Sequence, residues 1–85
     1  METRVAVVSI IVENAASIER MNALLSEYAP FIIGRMGIPY RKRGINIITV
    51  AMDAPQDAVS ALSGKLGLLP GISTKAAYSN AVFEE

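Results

Sequence analysis

The sequence predicts an α+β domain of order βαββαβ, an antiparallel four-stranded sheet carrying two helices on one face. Four apolar, β-branched runs alternate in that order with two stretches of helical periodicity. The first run is apolar on both of its alternating faces, as expected of a strand covered on both sides. With 85 residues the chain makes one domain, 1–85, with no internal linker or low-complexity stretch.

Residues 4–12, Arg4-Val5-Ala6-Val7-Val8-Ser9-Ile10-Ile11-Val12, contain no breaker and read as a strand. Val5, Val7 and Ile11 fall on one face; Val8, Ile10 and Val12 fall on the other. Residues 13–29 repeat Ile18, Met21, Leu25 and Tyr28 at helical spacing, with Asn14 as N-cap. Pro30 ends that helix, because the residue before a proline avoids helical space. Residues 31–36 form a short second strand, and 37–44 a polar, glycine-bounded connection. The third strand is 45–52. Asp53 then reads as an N-cap with Gln56 at capping-box spacing and Pro55 in the first turn. The second helix spans 54 to about 66, with Ala58, Val59, Leu62 and Leu66 as its apolar stripe and Gly67 as a left-handed C-cap. Leu69-Pro70-Gly71 is a turn, 72–78 the last strand, and 79–85 an unassigned tail. This order is that of the ferredoxin-like fold. Two helices cover one face of a sheet, so the other face is expected to meet a second copy of the chain or a ligand.

Composition narrows the function. The chain has no cysteine and no histidine, which excludes disulfides, thiolate chemistry and imidazole as base or metal ligand. Eight basic residues balance eight acidic ones, so no global field draws nucleic acid or an anionic membrane. Hydrophobic residues make up 52% of the chain and charged residues 19%. This excess of apolar side chains over what a small core absorbs points to an oligomer interface. The apolar run 5–12 is far shorter than the ~20 residues of a bilayer span, and the first residues lack the pattern of a signal peptide. No membrane association is expected, and the expected compartment is the cytoplasm.

The short motifs yield no catalyst. Gly34-Arg35-Met36-Gly37 has the chemistry of the RNA-clamping GXXG loop, but that loop joins two helices and Pro39 and Gly44 leave no room for the second. Arg41-Lys42-Arg43 is a basic cluster suited to an anion and equally to a solvated turn. Gly64-Lys65 fails as a phosphate loop, since Val59 stands where its first glycine belongs and Leu66 where its hydroxyl belongs. Asp53 and Asp57 read as helix-terminal carboxylates rather than metal ligands. Ser63 and Lys65 lack the spacing of a Ser-Lys pair. No catalytic residue, metal site or cofactor is expected.

A longer pattern is more specific. Ile32-Ile33-Gly34-Arg35-Met36-Gly37-Ile38-Pro39-Tyr40-Arg41 is followed by Asp53-Ala54-Pro55, by Ser60-Ala61-Leu62-Ser63-Gly64-Lys65-Leu66-Gly67, and by Leu69-Pro70-Gly71-Ile72. With Arg4-Val5-Ala6-Val7-Val8 and Ala77-Tyr78-Ser79, this resembles the small regulator family of the iron-only hydrogenase system, from about residue 4 to 79. The resemblance implies a ferredoxin-like fold of the ACT kind, assembly as a dimer or tetramer, and a regulatory role beside hydrogenase-system proteins. The fold is also similar to the C-terminal domain of the nickel-responsive repressor. That domain holds nickel through histidines and a cysteine, which this chain lacks, so the same site is not expected here. A ribbon-helix-helix segment is not seen before the first strand, and DNA contact is not indicated.

The candidate effector or interface segment is therefore Gly34, Arg35, Met36, Gly37, Pro39, Tyr40 and Arg41, with Arg35 and Arg41 as anion ligands. The leading expectation is a non-enzymatic, oligomeric regulatory module that binds a small effector between subunits. Its rival is a protein–protein adaptor for hydrogenase assembly without a small ligand. Nucleic-acid binding through 41–43 ranks below both, because aromatics are only 6% of the chain.

Overall fold

The computed structural model describes residues 1–84. The elements in order are β1 (Glu2–Val12), a 3-10 turn (Ala15–Ser17), α1 (Ile18–Glu27), a second 3-10 turn (Ala29–Phe31), β2 (Ile32–Tyr40), β3 (Ile45–Ala54), α2 (Gln56–Gly67), β4 (Ile72–Tyr78) and β5 (Phe83–Glu84). The sheet order is β2-β3-β1-β4, with β5 also on β1, and every pairing is antiparallel. The fold is the ferredoxin-like α+β plan, and the tail adds a fifth strand to the four expected.

Alternation along the strands sorts the apolar residues. Ala6, Val8, Ile10 and Val12 of β1, and Ile48, Val50, Met52 and Ala54 of β3, are buried with Met21 and Leu25 of α1 and Val59, Leu62 and Leu66 of α2. Burying each of the larger side chains contributes about 1.5–3 kcal/mol. β1 lies between β3 and β4, so its buried face is the middle of the core.

The local corrections have physical causes. The first helical segment is divided: Asn14 Oδ1 accepts from the Ala16 amide at 3.0 Å and opens a 3-10 turn before α1, and Pro30 sits in the second such turn. Asp53 does not cap α2. It lies in β3 opposite Val5, because β1 begins at Glu2 and is long enough to pair Asp53 and Ala54. Pro55 takes the N-cap position, without a side-chain cap. Gly67 is not a left-handed cap. It is the last residue of α2, where a Cβ would lie 3.4 Å from the Thr74 methyl. The positive φ falls instead on Gly44 and Gly71.

β2 is longer than predicted. It runs through Gly37, Ile38 and Pro39 to Tyr40, pairing with Ile45–Ile48 in place of the expected loop. Pro39 is tolerated because β2 is an edge strand, where a missing N–H is not required by a second neighbour. The connection shrinks to Arg41, Lys42, Arg43 and Gly44, closed by hydrogen bonds from the Arg43 amide to Tyr40 O and from the Gly44 amide to Arg41 O. The GXXG-like string thus lies within a strand, not between helices.

Candidate functional site: one sheet face and the edge strand

The seven candidate residues share β2 and its turn, but the pleat divides them. Arg35 pairs with Val50, Gly37 with Ile48 and Pro39 with Asn46, on the side that carries the helices. Gly34, Met36 and Tyr40 pair with Ala51, Thr49 and Ile45, on the opposite side together with Ile38. A bulge between Ile32 and Gly34 takes up Ile33, which stays exposed.

On the helix side, Arg35 Nη2 donates to Asn22 Oδ1 of α1 at 2.9 Å. The guanidinium borders two shallow hollows. One, of about 240 Å³, is lined by Ile18, Met21, Gly37, Pro39 and Asn46; the other, of about 230 Å³, by Leu25, Ser26, Ala29 and Ile32. Arg41 is not beside them. It sits in the turn six residues along, roughly 20 Å from Arg35 at about 3.3 Å per strand residue.

The opposite side of the sheet has no helix over it. Val7 is 37% exposed, Ile11 42%, Ile38 47% and Met36 58%. The register sets these out in rows: Ile38, Ile47, Ile11 and Ser73; Met36, Thr49, Ser9 and Lys75; Gly34, Ala51, Val7 and Ala77. Asp53 follows, opposite Val5. Among the described residues of β1 to β4, Lys75 and Asp53 are the charged groups on this face. Asp53 is half-buried, and its Oδ1 is shielded from solvent within the chain and has no hydrogen-bond partner. A hollow of about 300 Å³ opens beside Lys75, lined by Ser9, Ile11 and Ser73.

A third feature escapes sequence reasoning because its parts lie 37 positions apart. Lys65 Nζ donates to the Tyr28 hydroxyl at 3.0 Å and lies 5.2 Å from the centre of that ring. A cavity of about 440 Å³ adjoins it, with Arg20, Leu24, Glu27, Leu68 and Leu69 in its wall. The hydrogen bond to Tyr28, with that residue's charge, pushes the Lys65 pKa up. The ammonium is thereby held in its charged form, the reverse of what an amine nucleophile needs. Four serine hydroxyls pair with other hydroxyls or with backbone groups: Ser60 with Tyr78 at 3.0 Å, Ser63 with Thr74 at 3.3 Å, Ser17 with Pro70 O at 2.6 Å, and Ser79 with the Ala81 amide at 3.0 Å. These contacts suit packing and docking rather than bond-making. No described group of three or more Asp or Glu side chains is placed to hold a metal ion, and no described helix is long and apolar enough to cross a membrane.

The TM1266-like family profile, described as "Iron-only hydrogenase system regulator, putative", matches residues 4–76. The chain belongs to this family. The solved structure of the uncharacterized protein TM1266 from Thermotoga maritima is similar to it, with a TM-score of 0.86 and 30% identity, covering 89% of this chain and 96% of that one. Two more distant structures share the fold alone. The C-terminal domain of MgtC from Mycobacterium tuberculosis matches with a TM-score of 0.71 and 14% identity, over 89% of this chain and 87% of that one. A formyltetrahydrofolate deformylase from Pseudomonas putida KT2440 matches with a TM-score of 0.66 and 13% identity, over 91% of this chain and 29% of that one. No curated protein sequence matches. In this chain, β2 and the uncovered sheet face are the candidate working surfaces.

Proposed function

We propose that the chain is a non-enzymatic regulatory module of the iron-only hydrogenase system that works in the cytoplasm as a homo-oligomer and binds a small effector on the helix side of its edge strand. The observation that carries the oligomer is the uncovered sheet face, on which Val7, Ile11, Met36, Ile38 and Tyr40 are each at least 37% exposed. So small a domain gains by covering such a face with another subunit. The effector reading rests on Arg35, a guanidinium tethered to Asn22 between two hollows at the edge strand, a placement suited to a carboxylate or phosphate. Arg41 and the interface residues Gly34, Met36 and Tyr40 complete the segment. A ligand that prefers one assembly over another then shifts the population between them, which is how the module would regulate.

The test is native mass spectrometry of the protein purified from the cell that makes it. An oligomer with a reproducible extra mass is expected, and Arg35→Ala should lose that mass while the fold, read by circular dichroism, is kept. An oligomer without added mass, together with a stoichiometric hydrogenase-system protein in a pull-down, would replace this reading with the adaptor.

A further inference from the structure

Lys75 and Asp53 are opposite charges on one apolar face, and neither has a hydrogen bond or ion pair among the described residues. They cannot satisfy each other. Lys75 pairs across β1 with Ser9, and Asp53 pairs across β1 with Val5. Four strand residues separate them by about 13 Å along β1, and two strand spacings by about 10 Å across it. A lysine side chain does not span that diagonal. Covering the face as it stands would bury a cation and a carboxylate without counterions, which is strongly unfavourable.

We propose that the occupant of this face is a second copy of the chain, docked so that Lys75 of each subunit meets the partner's Asp53. The midpoint between the two charges falls on β1 at Val7, in the row formed with Ala51 and Ala77. A two-fold axis lying in the interface through Val7 exchanges the two positions. One operation then brings both charges of one face onto the opposite charges of the other, as a self-complementary interface requires. The small side chains beside Val7 let the two sheets approach at the axis, where the apolar contact is closest. That axis runs diagonally across the strands, so the two sheets cross steeply, toward the orthogonal class of packing. The ion pairs supply register more than affinity: sliding the sheets by one residue pair leaves all four charges buried and unmatched.

This inference rests on the oligomeric reading above, and one set of samples separates the two. Sedimentation velocity is run on the wild type, on Lys75→Asp, on Asp53→Lys, on the double reversal and on an equimolar mixture of the single reversals, with circular dichroism as the fold check. Each single reversal places like charges opposite each other twice and should raise the dissociation constant roughly 100-fold or more. The double reversal, and the mixture, should restore association. Because Asp53→Lys strains a half-buried site, Asp53→Asn and Lys75→Gln serve as milder partners: each should weaken association and remove its salt dependence. A monomeric wild type overturns the oligomeric reading along with this one. A wild-type oligomer indifferent to both reversals overturns this pairing alone. Loss in Lys75→Asp without rescue by the double reversal also overturns it, and would assign Lys75 to an anionic ligand instead.

Discussion

Gly71 has φ +70°, and a Cβ there would lie 2.5 Å from Asn14 Cβ and 2.9 Å from its backbone nitrogen. Gly44 has φ +66° with nothing within 4 Å of the same position. The pair separates two penalties. Gly44→Ala should lose about 1 kcal/mol from the left-handed backbone, and Gly71→Ala roughly 3 kcal/mol, because the clash adds to it. Urea unfolding with an unchanged m value is the check. The turn at Gly71 was legible from Leu69-Pro70-Gly71. The role of Gly67 was not, since it depends on how near α2 comes to Thr74, and a local pattern carries no such distance. Lys65 permits a statement about pH. Its folded pKa is raised, so whatever the Tyr28 contact contributes is fully present below the unfolded pKa and is lost as pH rises through the folded one. Melting temperatures of the wild type and Lys65→Met should therefore differ by a constant amount from pH 6 to 9 and converge only on the alkaline side.

Ile10 and Ile11 are adjacent, chemically identical and on opposite faces of β1, 0% and 42% exposed. Ile10→Ala should destabilise the subunit by about 3 kcal/mol, through lost burial and a residual cavity. Ile11→Ala should cost the isolated subunit less than about 1 kcal/mol while weakening association. Denaturant unfolding at low concentration and sedimentation at high concentration read the two effects apart. This two-sidedness was legible in the β-branched, doubly apolar run 4–12. The full length of β2 was not. Gly37 and Pro39 are turn formers in isolation, and their extended conformation comes from pairing with Ile48 and Asn46 of β3, a tertiary contact. A loop would let the seven candidate residues gather as one effector or interface segment, whereas the pleat of the strand sends them to two sides.

The order of elements was readable from apolar spacing, and the helices on one side and the open face followed from that order. The pairing of Lys65 with Tyr28 and the orphaned Asp53 Oδ1 were not readable, being outcomes of packing between distant segments. Across the whole chain, the heaviest structural demand falls on β1, which pairs with β3, β4 and β5. Residues 1–71, lacking β4, should fail to give a cooperative thermal transition by circular dichroism, because the central strand then keeps an open edge beside its core.

That position in the sheet also sets a timetable. β1 leaves the ribosome before both of the long strands that flank it, and Val12 pairs with Ile72, about 60 positions later. At about 5–20 residues per second, the strand waits roughly 3–12 s for its second neighbour. During that interval a β-branched edge, apolar on both sides, is open to any other nascent chain. The sheet thus closes only when β4 has emerged, and a chaperone that shelters β1 until then would govern how much of the protein reaches its assembled form.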